Sequence, residues 1–112
     1  MKLTHGIFYS NDLSVASSFY ENVLGFKKAF GDDRFVAYTI GDALLGIKLR
    51  KEEREVPGHQ TVIITIEDID AWYESLIEKG VQILKPMTDD PRGKNFSLLD
   101  SDNNKVEFVA YN

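Results

Sequence analysis

Two side chains able to bind a metal ion or to move a proton lie near opposite ends of the chain. His5 is in the first apolar run and Glu107 is in the last. One histidine or glutamate in a strand is more often structural than catalytic, so neither residue predicts a site by itself. Lys48, in a third apolar run, adds a cation. If these side chains line a cavity, we expect Arg50, two residues later, to lie at its rim. Convergent polar groups of this kind among apolar walls are typical of a small-molecule cavity.

Amino-acid composition excludes several classes of function before any helix or strand is assigned. The chain has 112 residues, a net charge of −5, 43% hydrophobic residues and no cysteine, which predicts one compact domain over residues 1–112. Negative charge argues against binding to nucleic acid, and the lack of cysteine excludes thiolate catalysis. No apolar run has the length of a signal peptide core or a membrane span, so we expect a soluble, cytoplasmic protein that contacts no membrane.

An internal repeat organises the elements around these residues. Helical patterns over 12–24 and 68–80 begin 56 residues apart, about half the chain. Each follows one strand-like run and precedes about three, with turn residues between them. The sequence therefore predicts an α+β fold of two βαβββ modules, about 1–55 and 56–112. The predicted strands are 3–9, 26–30, 35–40, 43–49, 61–66, 81–84, 95–99 and 105–111.

Alternation along the strands sorts their side chains onto two faces. One face is apolar, and we expect the two helices to cover it; it carries Leu45, Ile47, Leu49, Val62, Ile64, Ile66, Val106, Phe108 and Ala110. The other face is mixed and is either merely solvated or the lining of a cavity. It carries His5, Ile7, Tyr9, Gly46, Lys48, Arg50, Thr61, Ile63, Thr65, Lys105, Glu107, Val109 and Tyr111.

Two polar segments interrupt this pattern. Residues 50–59, which include Pro57-Gly58, are interpreted as a solvated linker. Residues 86–94, with two prolines, are interpreted as a loop that either is solvated or covers a pocket mouth. Asp100-Ser101-Asp102-Asn103-Asn104 predicts a tight turn between the last two strands, because Asn and Asp tolerate the left-handed conformation.

The arrangement resembles the vicinal oxygen chelate superfamily, which includes glyoxalases, bleomycin resistance proteins and extradiol dioxygenases. The resemblance covers essentially the whole chain. It depends on His5, on Asp12-Leu13 with Phe19-Tyr20 and 23–26, on 66–71, and on 100–108, where Ser101 and Asn103 replace the usual proline and glycine. It implies that the modules form an open, cup-like mixed sheet with the helices on its outer face.

Metal-dependent members of that superfamily imply ligand positions that fall here on His5, Thr61, Glu107 and Gly46. Two of these residue types suit a transition metal, whereas a threonine hydroxyl is a poor ligand and glycine has no side chain. His59 would replace Thr61 only if the strand shifted. The resemblance therefore implies either no bound cofactor or an incomplete site for a divalent metal such as zinc, nickel, manganese or iron.

Two functions follow from the resemblance. One is a protein that binds a small, partly apolar molecule without a metal, as bleomycin resistance members do. The alternative is a divalent-metal-dependent lyase, isomerase, transferase or dioxygenase, with Glu107 as a catalytic residue. A third hypothesis is a dimeric interaction partner with a vestigial cavity.

In the binding hypothesis, we expect Ile7, Tyr9, Ile63 and Tyr111 to form the wall and Lys48 to donate to an acceptor or anionic group. We also expect a homodimer in which each cup combines the first module of one chain with the second module of the other. Candidate residues for the shared surface are Tyr9, Tyr38, Phe96 and Tyr111, and a position in the core is an equal alternative for each of them.

Overall fold

The computed structural model describes residues 1–112 and contains eight strands and two α-helices. The strands are β1 (His5–Ser10), β2 (Lys27–Gly31), β3 (Phe35–Ile40), β4 (Ala43–Leu49), β5 (Thr61–Thr65), β6 (Gln82–Asp90), β7 (Gly93–Leu99) and β8 (Lys105–Tyr111). Helix α1 (Leu13–Ser18) continues into a π-helical segment (Phe19–Val23), and α2 spans Ile69–Glu78. No helix has the length and apolar character needed to cross a membrane.

The strands form two mixed sheets of four, one in each half of the chain. Their orders are β1-β4-β3-β2 and β5-β8-β7-β6. In each sheet the strand before the helix pairs in parallel with the last strand of the module, and the other pairings are antiparallel. The predicted α+β fold of two βαβββ modules is confirmed, including the 56-residue interval between β1 and β5 and between the two helices.

The apolar face predicted from alternation packs in the core. Leu45, Ile47, Ile64, Val106 and Phe108 are buried in one cluster, and the other four predicted residues pack against it. The same cluster includes Leu13 and Ala16 of α1 and Ile69 and Leu76 of α2. The helices therefore cover the apolar face, as predicted, and leave the mixed face free to line a cavity.

Residues 86–94 do not form the predicted loop, and their covering of a pocket mouth stays a prediction. They belong to β6 and β7, and only Pro91 and Arg92 lie between the two strands. Pro86 favoured the loop interpretation because proline lacks the N–H group that a residue of a central strand donates. It is tolerated here because β6 is an edge strand whose pairing shifts register between Lys85 and Thr88.

The first module departs from its predicted bounds by more than one residue at two places. Strand β1 begins at His5 rather than residue 3. The predicted helix over 12–24 is capped by Asp12, whose side chain accepts from the Val15 N–H, but it is α-helical only to Ser18 before the π-helical segment begins. Apolar periodicity alone does not distinguish these two kinds of helix.

Candidate functional site

The two sheets have equivalent positions on their mixed faces. Ile7 of β1 pairs with Gly46, and Gly46 pairs with Ala37. In the second sheet Ile63 of β5 pairs with Glu107, and Glu107 pairs with Ser97. Gly46 of β4 is thus the counterpart of Glu107 of β8 in the repeat. The first sheet has no side chain at this position, whereas the second has a carboxylate.

The mixed face of the first sheet is apolar where these strands meet. We call this surface the apolar cup; its residues are Ile7, Phe30, Phe35, Ala37 and Gly46. Phe30 and Phe35 stack with ring centroids 6.2 Å apart. A Cβ atom at position 46 would lie 2.6 Å from Phe35 Cζ and 2.7 Å from Ile7 Cδ1. Neighbouring apolar side chains therefore already occupy the space a metal ligand at this position would need.

Lys48 and Glu55 form an ion pair beside the apolar cup. Glu55 is buried, and its other carboxylate oxygen accepts from the backbone N–H groups of Lys51 at 2.8 Å and Glu52 at 3.0 Å. The Lys48 ammonium and these N–H groups lower the pKa of Glu55 to about 2. Residues 50–59 are therefore more than the solvated linker we predicted, because one carboxylate within them is held against β4. Arg50 is exposed and donates to the Glu53 carbonyl.

The mixed face of the second sheet is polar around Glu107. We call this surface the polar cup; its residues are Lys85, Asp90, Arg92, Asn95, Ser97 and Glu107. The Glu107 carboxylate is largely buried and accepts from Arg92 Nη1 at 3.1 Å, while Arg92 Nη2 lies 3.6 Å from Asp90. The hydrogen bond to Glu107 raises the pKa of Arg92, which keeps the guanidinium charged.

Asn95 and Ser97 form the buried floor of the polar cup. Asn95 donates to Asp90 at 2.9 Å, which lowers the pKa of Asp90, and accepts from Lys85 Nζ at 3.2 Å. Ser97 is fully buried, and its Oγ has no hydrogen-bond partner. An unpartnered buried hydroxyl is costly in a fold unless an incoming group can pair with it.

The residues present do not fit the metal centre that the superfamily implies. Glu107 is paired with Arg92, and Gly46 is enclosed by apolar side chains. His5 is exposed, with its Nδ1 2.7 Å from the Thr4 hydroxyl, and Thr61 is also exposed. His59 is exposed in the segment before β5, outside the strand. No group of three or more His, Cys, Asp or Glu side chains is arranged to hold an ion.

The residues predicted for the cavity wall and the shared surface are divided between the mixed face and the helix-covered face of the sheets. Tyr9 is half-buried, while Ile63 and Tyr111 are 55% and 57% exposed on the second sheet. Tyr38 and Phe96 are fully buried in the core, so their prediction as shared-surface residues is wrong. Their even positions place them on the helix-covered faces of β3 and β7.

Sequence reasoning missed Arg92 and Asn95 because both lay in or beside the segment interpreted as a loop. Asn95 and Ser97 lie within the predicted strand 95–99, but only the register of its pairing with β8, in which Ser97 pairs with Glu107, places them on the face of Glu107. The burial of Glu55 could not be predicted from the sequence, since it depends on how residues 50–59 fold back onto β4.

Comparison with known proteins defines the class. A family model for the Glyoxalase/Bleomycin resistance protein/Dioxygenase superfamily matches residues 2–108. The chain belongs to this superfamily, as the resemblance implied. Among curated relatives, metallothiol transferase FosB of Staphylococcus saprophyticus is 25% identical, with 94% of this chain and 74% of that protein covered. FosB of Shouchella clausii is 28% identical, with 94% and 77% covered.

Solved structures share the fold. The bleomycin-binding protein of Streptomyces verticillus, solved with copper(II)-bleomycin, is 26% identical at a TM-score of 0.81, with 100% of this chain and 98% of that chain covered. TnmS3, an antibiotic binding protein from Streptomyces sp. CB03234, has a TM-score of 0.86 at 19% identity, with 100% and 97% covered. At that identity, TnmS3 supports the fold only.

Proposed function

We propose that this protein binds a small, partly apolar molecule on its mixed sheet faces without a catalytic metal ion. The observation that carries the proposal is that neither Gly46 nor Glu107, the two equivalent positions of the repeat, is available as a metal ligand. The Arg92 guanidinium neutralises Glu107, and Phe35 and Ile7 occupy the space above Gly46. A divalent ion at Glu107 would have to displace a charge-assisted hydrogen bond while gaining few protein ligands.

The binding surface combines the residues expected from the sequence with those found in the structure. Ile7, Tyr9 and the stacked rings of Phe30 and Phe35 offer apolar and aromatic area on the first sheet. On the second sheet, Ile63 and Tyr111 are exposed beside Glu107 and the polar cup. Such a surface suits a ligand with an apolar body and one polar end. The likeness to a bleomycin-binding protein supports this class of function.

Ligand screening tests this proposal directly. We expect compounds with an aromatic body and one polar group to raise the Tm of the protein, because a ligand that binds only the folded state stabilises it. Phe35→Ala and Tyr9→Ala are expected to lower affinity for the compounds that bind. Lys48→Ala should lower it for those with an acceptor group. If no such compound shifts the Tm or gives heat in titration calorimetry, the binding proposal is wrong.

The alternative is a divalent-metal-dependent enzyme, and the FosB relatives favour it. His5 and Glu107 would then be metal ligands and Glu107 a catalytic residue. Elemental analysis of protein purified without chelator, followed by titration with zinc, nickel, manganese and iron, separates the two functions. We expect at most weak binding. A stoichiometric, tightly held ion that is lost in His5→Ala would establish the enzyme and overturn the binder.

The proposal includes a homodimer whose cups each combine the first module of one chain with the second of its partner. Its support is the exposed apolar side chains of Phe30, Ile63 and Tyr111, and the open edges of β1 and β5. Light scattering at micromolar concentration should give twice the chain mass. A mixture of Tyr9→Ala and Tyr111→Ala proteins should then regain the affinity that each has lost, since Tyr9 lies in the first module, Tyr111 lies in the second, and a mixed dimer contains one intact cup.

A further inference from the structure

The carboxylates of the polar cup already have hydrogen-bond donors, whereas its cations have donors to spare. Asp90 accepts from Asn95 Nδ2 and from the Arg92 backbone N–H, each at 2.9 Å, and Glu107 accepts from Arg92 Nη1. A guanidinium has five N–H groups, yet this one makes a single side-chain hydrogen bond. Lys85 is exposed and donates only to Asn95. Because Glu107 is largely buried while Arg92 and Lys85 are exposed, the unused hydrogen-bonding capacity that a ligand can reach is mainly that of donors.

The guanidinium is held in place while one edge stays accessible. Arg92 lies between Glu107 and Asp90, at 3.1 and 3.6 Å, and its side chain remains 39% exposed. Asp90 is itself held by the buried Asn95. A cation positioned before binding loses little side-chain entropy when a ligand arrives. The unpartnered Ser97 hydroxyl on the adjacent strand offers one more polar contact in the same cup.

We infer that the polar cup is an anion subsite, in which Arg92, with Lys85 beside it, binds the carboxylate of a ligand whose apolar body rests on the neighbouring apolar residues. A planar carboxylate matches the two-donor edge of a guanidinium. The subsite lies at Glu107, the position at which the superfamily resemblance implies a metal ligand. This inference rests on the proposed binding function and names the chemical class of its ligand.

A matched pair of probes tests the subsite. Naphthoate and naphthamide have the same aromatic body and differ in charge at the polar end. Titration calorimetry of the full chain should show naphthoate binding about tenfold more tightly, because hydrogen bonds to a charged group are the stronger kind. Equal binding of both probes would overturn the anion subsite and leave the binding function intact. Binding of neither probe would also overturn the anion subsite, and the ligand screen described above decides separately whether the binding function stands.

Substituted variants test whether Arg92 causes the preference for naphthoate over naphthamide. Arg92→Gln alone leaves Glu107 unpaired, so the double variant Arg92→Gln with Glu107→Gln removes both charges and keeps the pair neutral. We expect the double variant to lose most of the preference for naphthoate, because only Lys85 then remains as a cation of the polar cup. Lys94→Gln is the control, since Lys94 lies on the opposite face of β7 and pairs with the exposed Asp70 at 2.9 Å. The control should keep the full preference for naphthoate, and an undiminished preference in the double variant would overturn the inference.

Glu107→Gln alone distinguishes this subsite from a metal site. The substituted amide oxygen can still accept from Arg92 Nη1, but it no longer neutralises the guanidinium. We expect naphthoate to bind as tightly as before or more tightly. A loss of naphthoate binding in this variant, with the fold intact by circular dichroism, would contradict the subsite.

Discussion

Gly46 has a packing role at the residue scale, because Phe35 and Ile7 occupy the volume that any side chain at position 46 would need. Its counterpart Glu107 keeps a carboxylate, but Arg92 pairs with it. The two equivalent positions thus contribute different surfaces to the two sheets. One is apolar and aromatic, and the other is polar with a fixed cation.

Gly46→Ala should lower stability by about 1 kcal/mol, the lower end of the cost of overpacking, because the ends of Phe35 and Ile7 can rotate away from the added methyl group. Thermal unfolding measures the loss. Gly6→Ala on the neighbouring strand is the control, since its Cβ would meet only Val62 at 3.8 Å. Adding Phe35→Ala to Gly46→Ala should remove the clash with the Phe35 ring and leave only that with Ile7, so additive effects of the two changes would contradict this account.

Glu55 should make stability depend on pH in the acid range. Its pKa in the folded protein is about 2, below its ordinary value of 4.5. The carboxylate therefore stabilises the fold above about pH 4.5, and this contribution is lost as the pH falls towards 2. Glu55→Gln should lower the Tm at pH 7, and its difference from the parent should shrink as the pH falls through this window.

Glu52→Gln is the control for that measurement, because Glu52 pairs only with the exposed Arg54. Exposed ion pairs of this kind contribute little to stability. A Tm at pH 7 that falls equally in both variants would show that the buried ion pair with Lys48 has no special role.

At the scale of elements, the β6–β7 hairpin determines where Arg92 lies. Asp90 pairs with Gly93 across the turn, and Asn95 donates both to Asp90 and to the Gly93 carbonyl. Gly93 has φ of +136°, and a Cβ there would lie 2.2 Å from the Ala110 carbonyl oxygen. Only glycine fits this close approach of the hairpin to β8.

Gly93→Ala should therefore cost at least about 2 kcal/mol, since the strained backbone and the clash with a backbone atom act together. Gly41→Ala is the matched change, because Gly41 also has positive φ but open space around its Cβ position. We expect that change to cost about 1 kcal/mol. Chemical denaturation compares the two, and equal costs would show that the approach to β8 is not restrictive.

At the scale of the whole molecule, the turn between β7 and β8 ties the two modules together. Asp100 is buried and accepts from Tyr20 Oη at 2.7 Å, while Asn104 donates to the Tyr9 carbonyl at 2.9 Å. Asp102 accepts from the Asn11 backbone N–H. Asn103 adopts φ of 64°, which confirms the left-handed turn predicted from 100–104. A segment expected only to reverse the chain also fixes how the halves pack.

Tyr20→Phe should cost about 1–3 kcal/mol, because it leaves a buried carboxylate without one of its donors. Burial raises the pKa of Asp100, and the Tyr20 hydroxyl partly opposes that rise. The variant should therefore raise the pKa of Asp100 further, which NMR titration of its carboxyl carbon measures.

Tyr38→Phe is the matched control for Tyr20→Phe. Its ring stacks on Tyr20 at 5.6 Å, but its hydroxyl donates to the exposed Glu21, which water can reach when the donor is lost. The control should cost less and leave the pKa of Asp100 unchanged. Equal effects of the two changes would contradict a special role for the bond between the modules.

The sequence by itself determined the repeat, the order of strands and helices, and which strand face is buried, because local periodicity and turn chemistry encode these features directly. The extent of one domain and its module boundary near residue 55 stay predictions. Only the tertiary structure decided that Arg92 meets Glu107, that Glu55 holds Lys48, and that Tyr38 and Phe96 lie in the core. These outcomes depend on strand register and on chain segments that meet across the fold, and a shift of one residue reverses the face on which a side chain lies.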